Sequence, residues 1–432
     1  MTKTKNLGKI SELIFQAVEM GNVTELKTLI ENEVNIKMKN EYGWTLLHVA
    51  SMKGNLEVVK CLLENGAVVD PKVLSFAIKN NQTHVVKYLI QNGVNINAKS
   101  SNMTPLQLAI QSDRFEIVNL LIENGASINT KVKHEFTALY EAIAVGSIEI
   151  VKLLVENGAN IDAKNKNSWT PLHKASHKGH FEIVKLLVEK GANINLKRKD
   201  GHTPLHIASE EGHFEVVKLL VENGVNINLK DEDDMTPLHK ASDKGHFEIV
   251  KLLVENGAKI DAISNQGETP LFFAIQSKHI DVVKYLIQNG ANINAKDKYD
   301  STALHEAVCD GGNEIVKLLV ENGALIDVMN SDGHTPLSFA IQQNKTDIVD
   351  YLSNVKKRKA DNEIPEETYS NKAPCLICLS PRNGLFVLLP CGHTSLCEYC
   401  CIKVCFEENH SKCPSCRKPI KSYQKIFFQA PE

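Results

Sequence analysis

The stretch KNSWTPLHKASHKGHFEIVKLLVEKGANINLKR, residues 166–198, decides the fold of this chain. Thr170 is a preferred N-cap residue, and Pro171 suits the first turn of a helix, where its missing N–H costs nothing. Gly179 separates this short helix from a second one, whose apolar residues form a broad face. Gly191 follows the second helix where a left-handed cap is favoured. The stretch therefore predicts two short helices followed by a hairpin.

The same unit recurs along most of the chain. A Thr-Pro-Leu or Thr-Ala-Leu motif begins every 33 residues, at Thr104, Thr137, Thr170, Thr203, Thr236, Thr269, Thr302 and Thr335. An earlier copy begins at Thr45, and we count eleven repeats from about residue 8 to residue 353. A fixed period of this length indicates a solenoid whose neighbouring repeats bury each other's apolar faces. The atypical first and last repeats suit capping units that face water on one side.

The period and the motif together resemble the ankyrin-repeat family, whose signature is Thr-Pro-Leu-His-x-Ala at 33-residue spacing. The segment HTPLHIA at residues 202–208 matches that signature in full. The resemblance implies a mainly α solenoid of helix pairs and hairpins over residues 8–353. It also implies a protein-binding role, although a fold alone does not establish a function.

The third repeat is shorter than the others. Gly66 and Ala77 are eleven residues apart, whereas the corresponding Gly158 and Ala175 are seventeen apart. The hairpin of this repeat must be truncated, and we expect a kink or a break in stacking there.

Histidine recurs at the fourth motif position, which suggests either metal binding or a structural role. Successive copies stand a whole repeat apart, too far to share one metal ion at about 2 Å. The resemblance to ankyrin repeats implies the structural role, in which these side chains form hydrogen bonds to the backbone of neighbouring hairpins. The histidines concerned are His48, His173, His206, His239 and His305.

The composition is that of an ordinary soluble protein. The 432 residues carry a net charge of −3, which gives no strong field for nucleic acid or an anionic membrane. The first residues have no apolar signal-peptide core, and we find no apolar run long enough to span a membrane. We expect a cytoplasmic protein. Residues 354–372 are polar and charged and are predicted to be a flexible linker; a nuclear location stays open because KKRK at 356–359 is a weak import signal.

Nine of the eleven cysteines lie between Cys375 and Cys416, which indicates metal binding in a reducing compartment. Seven of them and one histidine have the spacing of two closed tetrahedral zinc sites. The proposed ligands are Cys375, Cys378, Cys391, His393, Cys397, Cys400, Cys413 and Cys416. With four protein ligands on each ion, no position remains for an activated water. A nucleoside deaminase is excluded because Ser395 stands where its glutamate is required.

The order of these ligands resembles the RING family. The resemblance implies a small zinc-bound α+β domain at residues 375–428, with two structural zinc ions and interleaved ligand pairs. One site would hold Cys375, Cys378, Cys397 and Cys400, and the other would hold Cys391, His393, Cys413 and Cys416. Cys401 adjoins a proposed ligand and could compete with Cys400.

Further residues resemble the RING surface that binds a ubiquitin-conjugating enzyme. Ile377, Val404 and Pro414 correspond to the docking groove of that family. Arg417 corresponds to the basic residue that bridges ubiquitin and the conjugating enzyme in active members. The resemblance is best to RING ends of the inhibitor-of-apoptosis and Mind bomb type, although the twelve residues before Cys413 exceed the usual gap. In related RINGs an apolar tail such as Ile426, Phe427 and Phe428 packs on a partner, which suggests a RING homodimer; the alternative is that these side chains cover their own domain.

These features predict a RING-type ubiquitin ligase, an enzyme without a covalent ubiquitin intermediate. The repeats would bind a protein substrate, and the zinc module would recruit a charged ubiquitin-conjugating enzyme. The alternative is a non-catalytic ankyrin scaffold or adaptor that uses its RING only for assembly. Nucleic-acid binding by the zinc module is disfavoured, because residues 375–432 carry only seven Lys and Arg against four Asp and Glu.

The residue before each motif threonine lies beside the groove that ankyrin proteins often use for partners. Both tryptophans of the chain occupy this position, and tryptophan is enriched at binding hot spots. We predict that Trp44, Phe136 and Trp169 anchor the substrate on the N-terminal half of the array. The alternative is that these side chains pack between adjacent hairpins.

Overall fold

The computed structural model describes residues 2–362, which form eleven consecutive helix pairs. The zinc module predicted at 375–428 lies outside the described residues. The first helices of the pairs, the inner helices, are α1 (Thr2–Met20), α3 (Leu46–Lys53), α5 (Pro71–Lys79), α7 (Pro105–Gln111), α9 (Ala138–Val145), α11 (Pro171–Lys178), α13 (Pro204–Glu211), α15 (Pro237–Lys244), α17 (Pro270–Gln276), α19 (Ala303–Glu306) and α21 (Pro336–Gln342). A π-helical turn, Ala307–Gly311, extends α19.

The second helices of the pairs, the outer helices, are mostly nine residues long. They are α2 (Val23–Glu31), α4 (Leu56–Glu64), α6 (Thr83–Gln91), α8 (Phe115–Glu123), α10 (Ile148–Glu156), α12 (Phe181–Glu189), α14 (Phe214–Glu222), α16 (Phe247–Glu255), α18 (Ile280–Gln288), α20 (Asn313–Glu321) and α22 (Thr346–Asn362). The loops that connect the pairs contain no strand within residues 2–362. They hold three isolated bridges, Lys39–Thr45, Ser100–Met103 and Lys296–Thr302. The α-solenoid predicted from the repeats is confirmed.

Inner helix α11 begins and ends as the motif predicts. The Thr170 hydroxyl accepts the N–H of His173 (3.3 Å), and the His173 ring accepts the N–H of Thr170 (3.2 Å). These two bonds are a capping box, which satisfies donors that the first helical turn leaves free. Gly179 ends α11 in the left-handed region, with φ of 68°.

The core is a continuous layer of apolar side chains between successive pairs. Inner helices pack on inner helices and outer helices on outer helices along the array. In the sixth pair, Leu172 and Ala175 of α11 and Val184 and Leu187 of α12 are fully buried. No pair encloses these side chains alone, so their burial depends on the neighbouring repeats.

The motif histidines connect each repeat to the next, as predicted. The Nε2 of His173 donates to the carbonyl of His202 (3.1 Å), and the Nε2 of His206 donates to that of Met235 (3.0 Å). His305 forms the equivalent bond to His334 (3.0 Å). Each of these carbonyls also accepts a backbone N–H of its own loop, as His202 does from Arg198 (2.9 Å) and Met235 from Asp231 (2.9 Å). The histidine bond is therefore a second one, and it joins the loop to the preceding repeat.

A second set of histidines, at the N-caps of the outer helices, connects each repeat to the preceding one. The Nε2 of His213 donates to the carbonyl of His177 (3.1 Å), and that of His246 donates to the carbonyl of Glu210 (3.0 Å). The His213 ring lies over Gly179, where an added Cβ would be 2.6 Å from the ring. The glycine is therefore required both for its backbone conformation and for this close approach.

The third repeat retains its stacking, so the expected break is wrong, although its loop is truncated as predicted. Inner helix α5 packs on both α3 and α7. Asp70 caps α5 by accepting the N–H groups of Lys72 (2.8 Å) and Val73 (3.3 Å). The same carboxylate lies 3.0 Å from the Nε2 of His48, which has no hairpin carbonyl to bind in this repeat. One side chain therefore replaces the missing hairpin.

The C-terminal end of the array corrects the predicted linker. The compact unit ends at Ser353, but α22 continues to Asn362. Residues 354–362, predicted to be flexible, are therefore helical. They include three lysines, one arginine and one alanine, which favour helices, and the first proline after Ser353 is Pro365. Absence of an apolar period thus did not prevent the helix from extending.

Candidate functional site

Trp44, Phe136 and Trp169 all stand at the ends of loops and are half-buried. Asparagine side chains hold the loops of the two tryptophans: the Oδ1 of Asn40 accepts the N–H of Trp44 (2.9 Å), and that of Asn165 accepts the N–H of Trp169 (3.0 Å). The position of each tryptophan is therefore fixed by its own loop.

Trp44 packs in an aromatic cluster of the second and third repeats. Its ring is 4.9 Å from that of Phe76 in an edge-on arrangement and 5.3 Å from that of Tyr42. Phe76 also contacts the ring of His48 at 5.4 Å. The Trp44 side chain thus bridges two repeats and keeps part of its surface exposed.

Phe136 and Trp169 lie further along the array, and each has contacts of its own. The Phe136 ring stacks on that of Tyr140, with centroids 4.6 Å apart and planes inclined by 6°. The Nζ of Lys174 lies 5.7 Å from the centre of the Tyr140 ring. The guanidinium of Arg198 lies 4.8 Å from the centre of the Trp169 ring. Both cations are therefore at cation–π distance from an aromatic face.

The three predicted anchors do not form one continuous cluster. Within the described residues, no direct ring contact joins any two of them. Trp44 and Trp169 contact side chains of the next repeat, whereas Phe136 stacks on Tyr140 of its own repeat, and all three keep exposed surface. Their role in substrate binding stays a prediction.

Sequence reasoning missed Tyr140, Lys174 and Arg198. Tyr140 occupies the histidine position of its motif, and Lys174 follows the histidine of the next copy. Burial raises the pKa of Tyr140 to about 12, so its hydroxyl stays protonated. These residues could have been found from the sequence, because the side chains at their positions vary between repeats whereas the Thr, Leu and Ala of the motif are nearly constant.

The motif histidines are structural rather than chemical. Burial lowers the pKa of His173 to about 4 and that of His206 to about 3. Their rings are therefore neutral at physiological pH, and both nitrogens of each ring are hydrogen-bonded. Within residues 2–362, no group of three or more His, Cys, Asp or Glu side chains is arranged to hold a metal ion.

The predicted zinc ligands, Ile377, Val404, Pro414 and Arg417 lie outside residues 2–362, so their geometry is not described. Among the helices that the structure describes, none combines the length and hydropathy that crossing a membrane would require.

Comparison with family models covers both parts of the chain. A model described as ankyrin repeats (3 copies) matches residues 69–132, 139–231, 223–297 and 296–364, and another, described as ankyrin repeats (many copies), matches residues 14–63. A model described as zinc finger, C3HC4 type (RING finger), matches residues 371–423. These matches imply protein partners for the repeats and structural zinc for the finger.

Curated relatives resemble only short segments of the chain. A putative ankyrin repeat protein of Fowlpox virus is 43% identical over 58 residues, which are 13% of this chain and 13% of that protein. The B-cell lymphoma 3 protein homolog of Mus musculus is 35% identical over 81 residues, or 17% and 18% of the two chains. The Notch-regulated ankyrin repeat-containing protein of Homo sapiens is 42% identical over 62 residues, or 13% and 54%. The aligned segments thus span little more than half of the shortest of these relatives and under a fifth of the other two. On the family-model matches, the chain belongs to the ankyrin-repeat family and carries a C-terminal RING finger of the C3HC4 type.

Proposed function

We propose that this chain is a RING-type ubiquitin ligase that binds a protein substrate through its ankyrin repeats. The observation that carries the proposal is the RING-finger match at residues 371–423, joined to a long array of a protein-binding family. A ligase of this class needs both parts, because one must hold the substrate while the other recruits the activated ubiquitin. The linkage raises the effective concentration of the substrate near the reacting thioester.

Zinc would hold the RING finger together. We propose two ions, one bound by Cys375, Cys378, Cys397 and Cys400 and the other by Cys391, His393, Cys413 and Cys416. Thiolates and imidazole are suitable zinc ligands, and four protein ligands close each site. Structural zinc in small fingers contributes about 10–16 kcal/mol per site to folding, so the ions would be essential to the module.

The reaction would depend on positioning rather than on a covalent intermediate. Ile377, Val404 and Pro414 would form the groove that binds the conjugating enzyme. Arg417 would donate hydrogen bonds to both the enzyme and its ubiquitin, restraining the thioester for attack. A lysine of the substrate, held by the array near Trp44, Phe136 and Trp169, would be the nucleophile.

The alternative is a scaffold whose RING serves only in assembly, and Arg417 distinguishes the two. An assembly module has no need of a cation that bridges ubiquitin and the conjugating enzyme. The presence of Arg417 directly after the last cysteine of the finger therefore favours the ligase.

The deciding experiment is ubiquitin discharge from a charged conjugating enzyme onto free lysine, with and without the full chain. We expect the chain to accelerate discharge. Arg417→Ala should slow it by at least about tenfold, which corresponds to about 1.4 kcal/mol of transition-state stabilisation. Ile377→Ala should weaken binding of the conjugating enzyme itself. Arg382→Ala, a loss of the same charge elsewhere in the finger, is the matched control.

A representative panel of active conjugating enzymes should be tested. If the chain does not accelerate discharge from any of them, the scaffold replaces the ligase as the function. If Arg417→Ala and Arg382→Ala discharge equally fast, the assigned bridging role is wrong even when the chain is active.

A further inference from the structure

Aromatic rings and cations alternate across the fifth to seventh repeats. Phe136 stacks on Tyr140, Lys174 lies over Tyr140, and Arg198 lies over Trp169. We call these five side chains the aromatic–cation patch. Lys174 forms no salt bridge in the described part of the chain, although its ammonium group and the half-buried carboxylate of Glu141 attract each other at longer range. An ammonium group beside an aromatic face, without a carboxylate at salt-bridge distance, is suited to bind an anionic group.

Arg198 occupies a loop position that is used differently in the neighbouring repeats. In the equivalent positions, the Asn165 side chain accepts the N–H of Trp169 (3.0 Å), and the Asp231 side chain accepts the N–H of Met235 (2.8 Å). Both donors belong to the same loop as their acceptor. A guanidinium cannot accept a hydrogen bond, so Arg198 cannot cap its loop in this way.

In the Arg198 loop, Asp200 takes over that role. Its Oδ1 accepts the N–H of His202 (3.3 Å) and the Nε–H of Arg198 (2.5 Å). The two terminal nitrogens of Arg198 form no hydrogen bond to another described residue. With one face on Trp169 and Nε on Asp200, the guanidinium is held in place with its paired N–H groups available. This fork matches the geometry of a carboxylate.

The charge of the inter-repeat loops changes sign directly after this patch. In the six loops that end at or before residue 203, basic residues outnumber acidic ones by eleven to six. In the four loops that begin at residue 223, acidic residues outnumber basic ones by ten to four. The adjacent loops 190–203 and 223–236 show the change: the first contains KRKD, and the second contains KDEDD. The N-terminal half of the loop surface therefore attracts anions, and the C-terminal half repels them.

We propose that the aromatic–cation patch binds an acidic polypeptide segment. Carboxylates of that segment pair with Lys174 and Arg198, and an adjacent apolar side chain packs against the exposed parts of Phe136 and Trp169. The acidic part runs toward the N-terminal loops, because the carboxylates of loop 223–236 repel it from the other direction. Insofar as this segment belongs to the substrate, the inference rests on the proposed ligase function and names the class of that substrate.

A nucleic acid fits these observations less well than an acidic polypeptide. Base recognition by aromatic residues requires free ring faces. One face of Phe136 is covered by Tyr140, and one face of Trp169 is covered by Arg198. A phosphate polymer would also extend beside the acidic loop 223–236, whereas a short acidic segment need not.

The test selects peptides from a random twelve-residue display library on the intact chain. Enriched peptides are synthesised, and their affinity is measured from the fluorescence of Trp169 in a Trp44→Phe background, where it is the only indole. The double charge reversal Lys174→Glu/Arg198→Glu changes the patch. Its matched control, Lys185→Glu/Lys218→Glu, makes the same net change on exposed positions of outer helices α12 and α14.

We expect the enriched peptides to combine several Asp or Glu residues with an aromatic or aliphatic side chain. The patch reversal should weaken their binding by at least about tenfold, and the control by less than about threefold. Arg198→Lys, which keeps the charge but loses the planar fork, should give an intermediate loss. Thermal melting of each variant tests whether the array is folded. If the double reversal unfolds the array, the affinity of the Arg198→Lys variant for the peptides tests the proposal instead.

Three outcomes overturn the proposal: enrichment of neutral or basic peptides, equal losses in the patch and control variants, or tighter binding of a 20-nucleotide oligo(dT) than of the acidic peptides. None of these measurements involves ubiquitin. If discharge fails while peptide binding depends on the patch, the proposed ligase function is wrong and the acidic-segment site stands. If the chain accelerates discharge but the patch reversal does not weaken peptide binding, only the proposed acidic-segment site is wrong.

Discussion

Replacing His206 by glutamine would separate the hydrogen bonds of this side chain from its ability to take up a proton. The His206 ring is fully buried. It accepts the N–H of Thr203 (3.2 Å) and donates from Nε2 to the carbonyl of Met235 (3.0 Å). His206→Ala would lose both bonds and leave a cavity. At about pH 7.5 we expect that variant to lose about 3–4 kcal/mol of folding free energy.

The chain itself indicates that glutamine can replace this histidine. Gln107 stands at the same motif position and is buried. Its Oε1 accepts the N–H of Thr104 (3.1 Å), and its Nε2 donates to the carbonyl of Phe136 (3.2 Å). Because both bonds are reproduced, we expect His206→Gln to cost less than about 1.5 kcal/mol at about pH 7.5.

Acid should reverse the order of stability. Burial lowers the folded-state pKa of His206 from 6.5 to about 3, so the unfolded chain binds this proton first. The parent protein is therefore fully stable with respect to this group above about pH 6.5 and loses stability as the pH falls toward 3. At about pH 4.5 the parent should have lost about 2–3 kcal/mol of folding free energy through this residue, relative to about pH 7.5. His206→Gln avoids that loss and should then equal or exceed the parent in stability.

Urea unfolding, followed by the fluorescence of Trp169 in the preceding repeat, measures these free energies at the two pH values. The reciprocal variant Gln107→His is the control and should gain acid sensitivity in the fourth repeat. If His206→Gln is as unstable as His206→Ala at about pH 7.5, the two side chains are not interchangeable in this position. If its stability relative to the parent does not change with pH, the burial argument is wrong.

Other predictions concern the zinc module and the repeat junctions. Elemental analysis should give two zinc ions per chain, and Cys391→Ser should unfold the finger while the melting transition of the repeats is unchanged; fewer than two ions in native protein would contradict the ligand assignment. Light scattering of the full chain at tens of micromolar should give a dimer mass that Phe427→Asp reduces to a monomer, whereas a monomeric parent would rule out the tail-mediated dimer. Gly179→Ala should cost about 2–4 kcal/mol in urea unfolding, because it combines left-handed strain with a clash against the His213 ring. Gly191→Ala, with nothing within 4 Å of its new Cβ, should cost only the strain of about 1–2 kcal/mol, and equal losses would remove the clash from the explanation.

The helix pairs and their capping could be predicted because most copies of the repeat carry the same residues that begin and end a helix. Thr170, Pro171 and Gly179 act within a few residues of one another, so the sequence alone indicates where α11 begins and ends. The spacing of the motif histidines argued against a shared metal ion, and the resemblance to ankyrin repeats implied their hydrogen-bonding role. The bond of His173 confirms that role.

Exchanges between distant side chains could not be predicted in the same way. Asp70 compensates for a lost hairpin by binding His48, which lies 22 positions earlier in the sequence. Arg198 contacts Trp169 only because the loops of adjacent repeats lie side by side. In both cases a side chain that differs from the repeat consensus contacts a residue of another repeat. The repeat pattern shows which residue differs, but it does not show which residue it contacts.

The extension of α22 shows a third limit. The residues after Ser353 have no apolar period, which favoured a linker, yet α22 continues through them to Asn362. Amphipathic pattern reports which residues pack, whereas helix length also depends on residues that face water.

The hydrogen bonds between repeats have a consequence for how the chain folds during synthesis. The bond from His173 spans 29 residues and that from His213 spans 36, so each repeat is connected only to its sequence neighbours. Such a low contact order favours rapid folding, since no contact waits for a distant part of the chain. Repeats can therefore stack one after another as they leave the ribosome. Most of the array can therefore be folded before the cysteines that follow it leave the ribosome, and zinc would be captured by a chain whose larger domain is already largely folded.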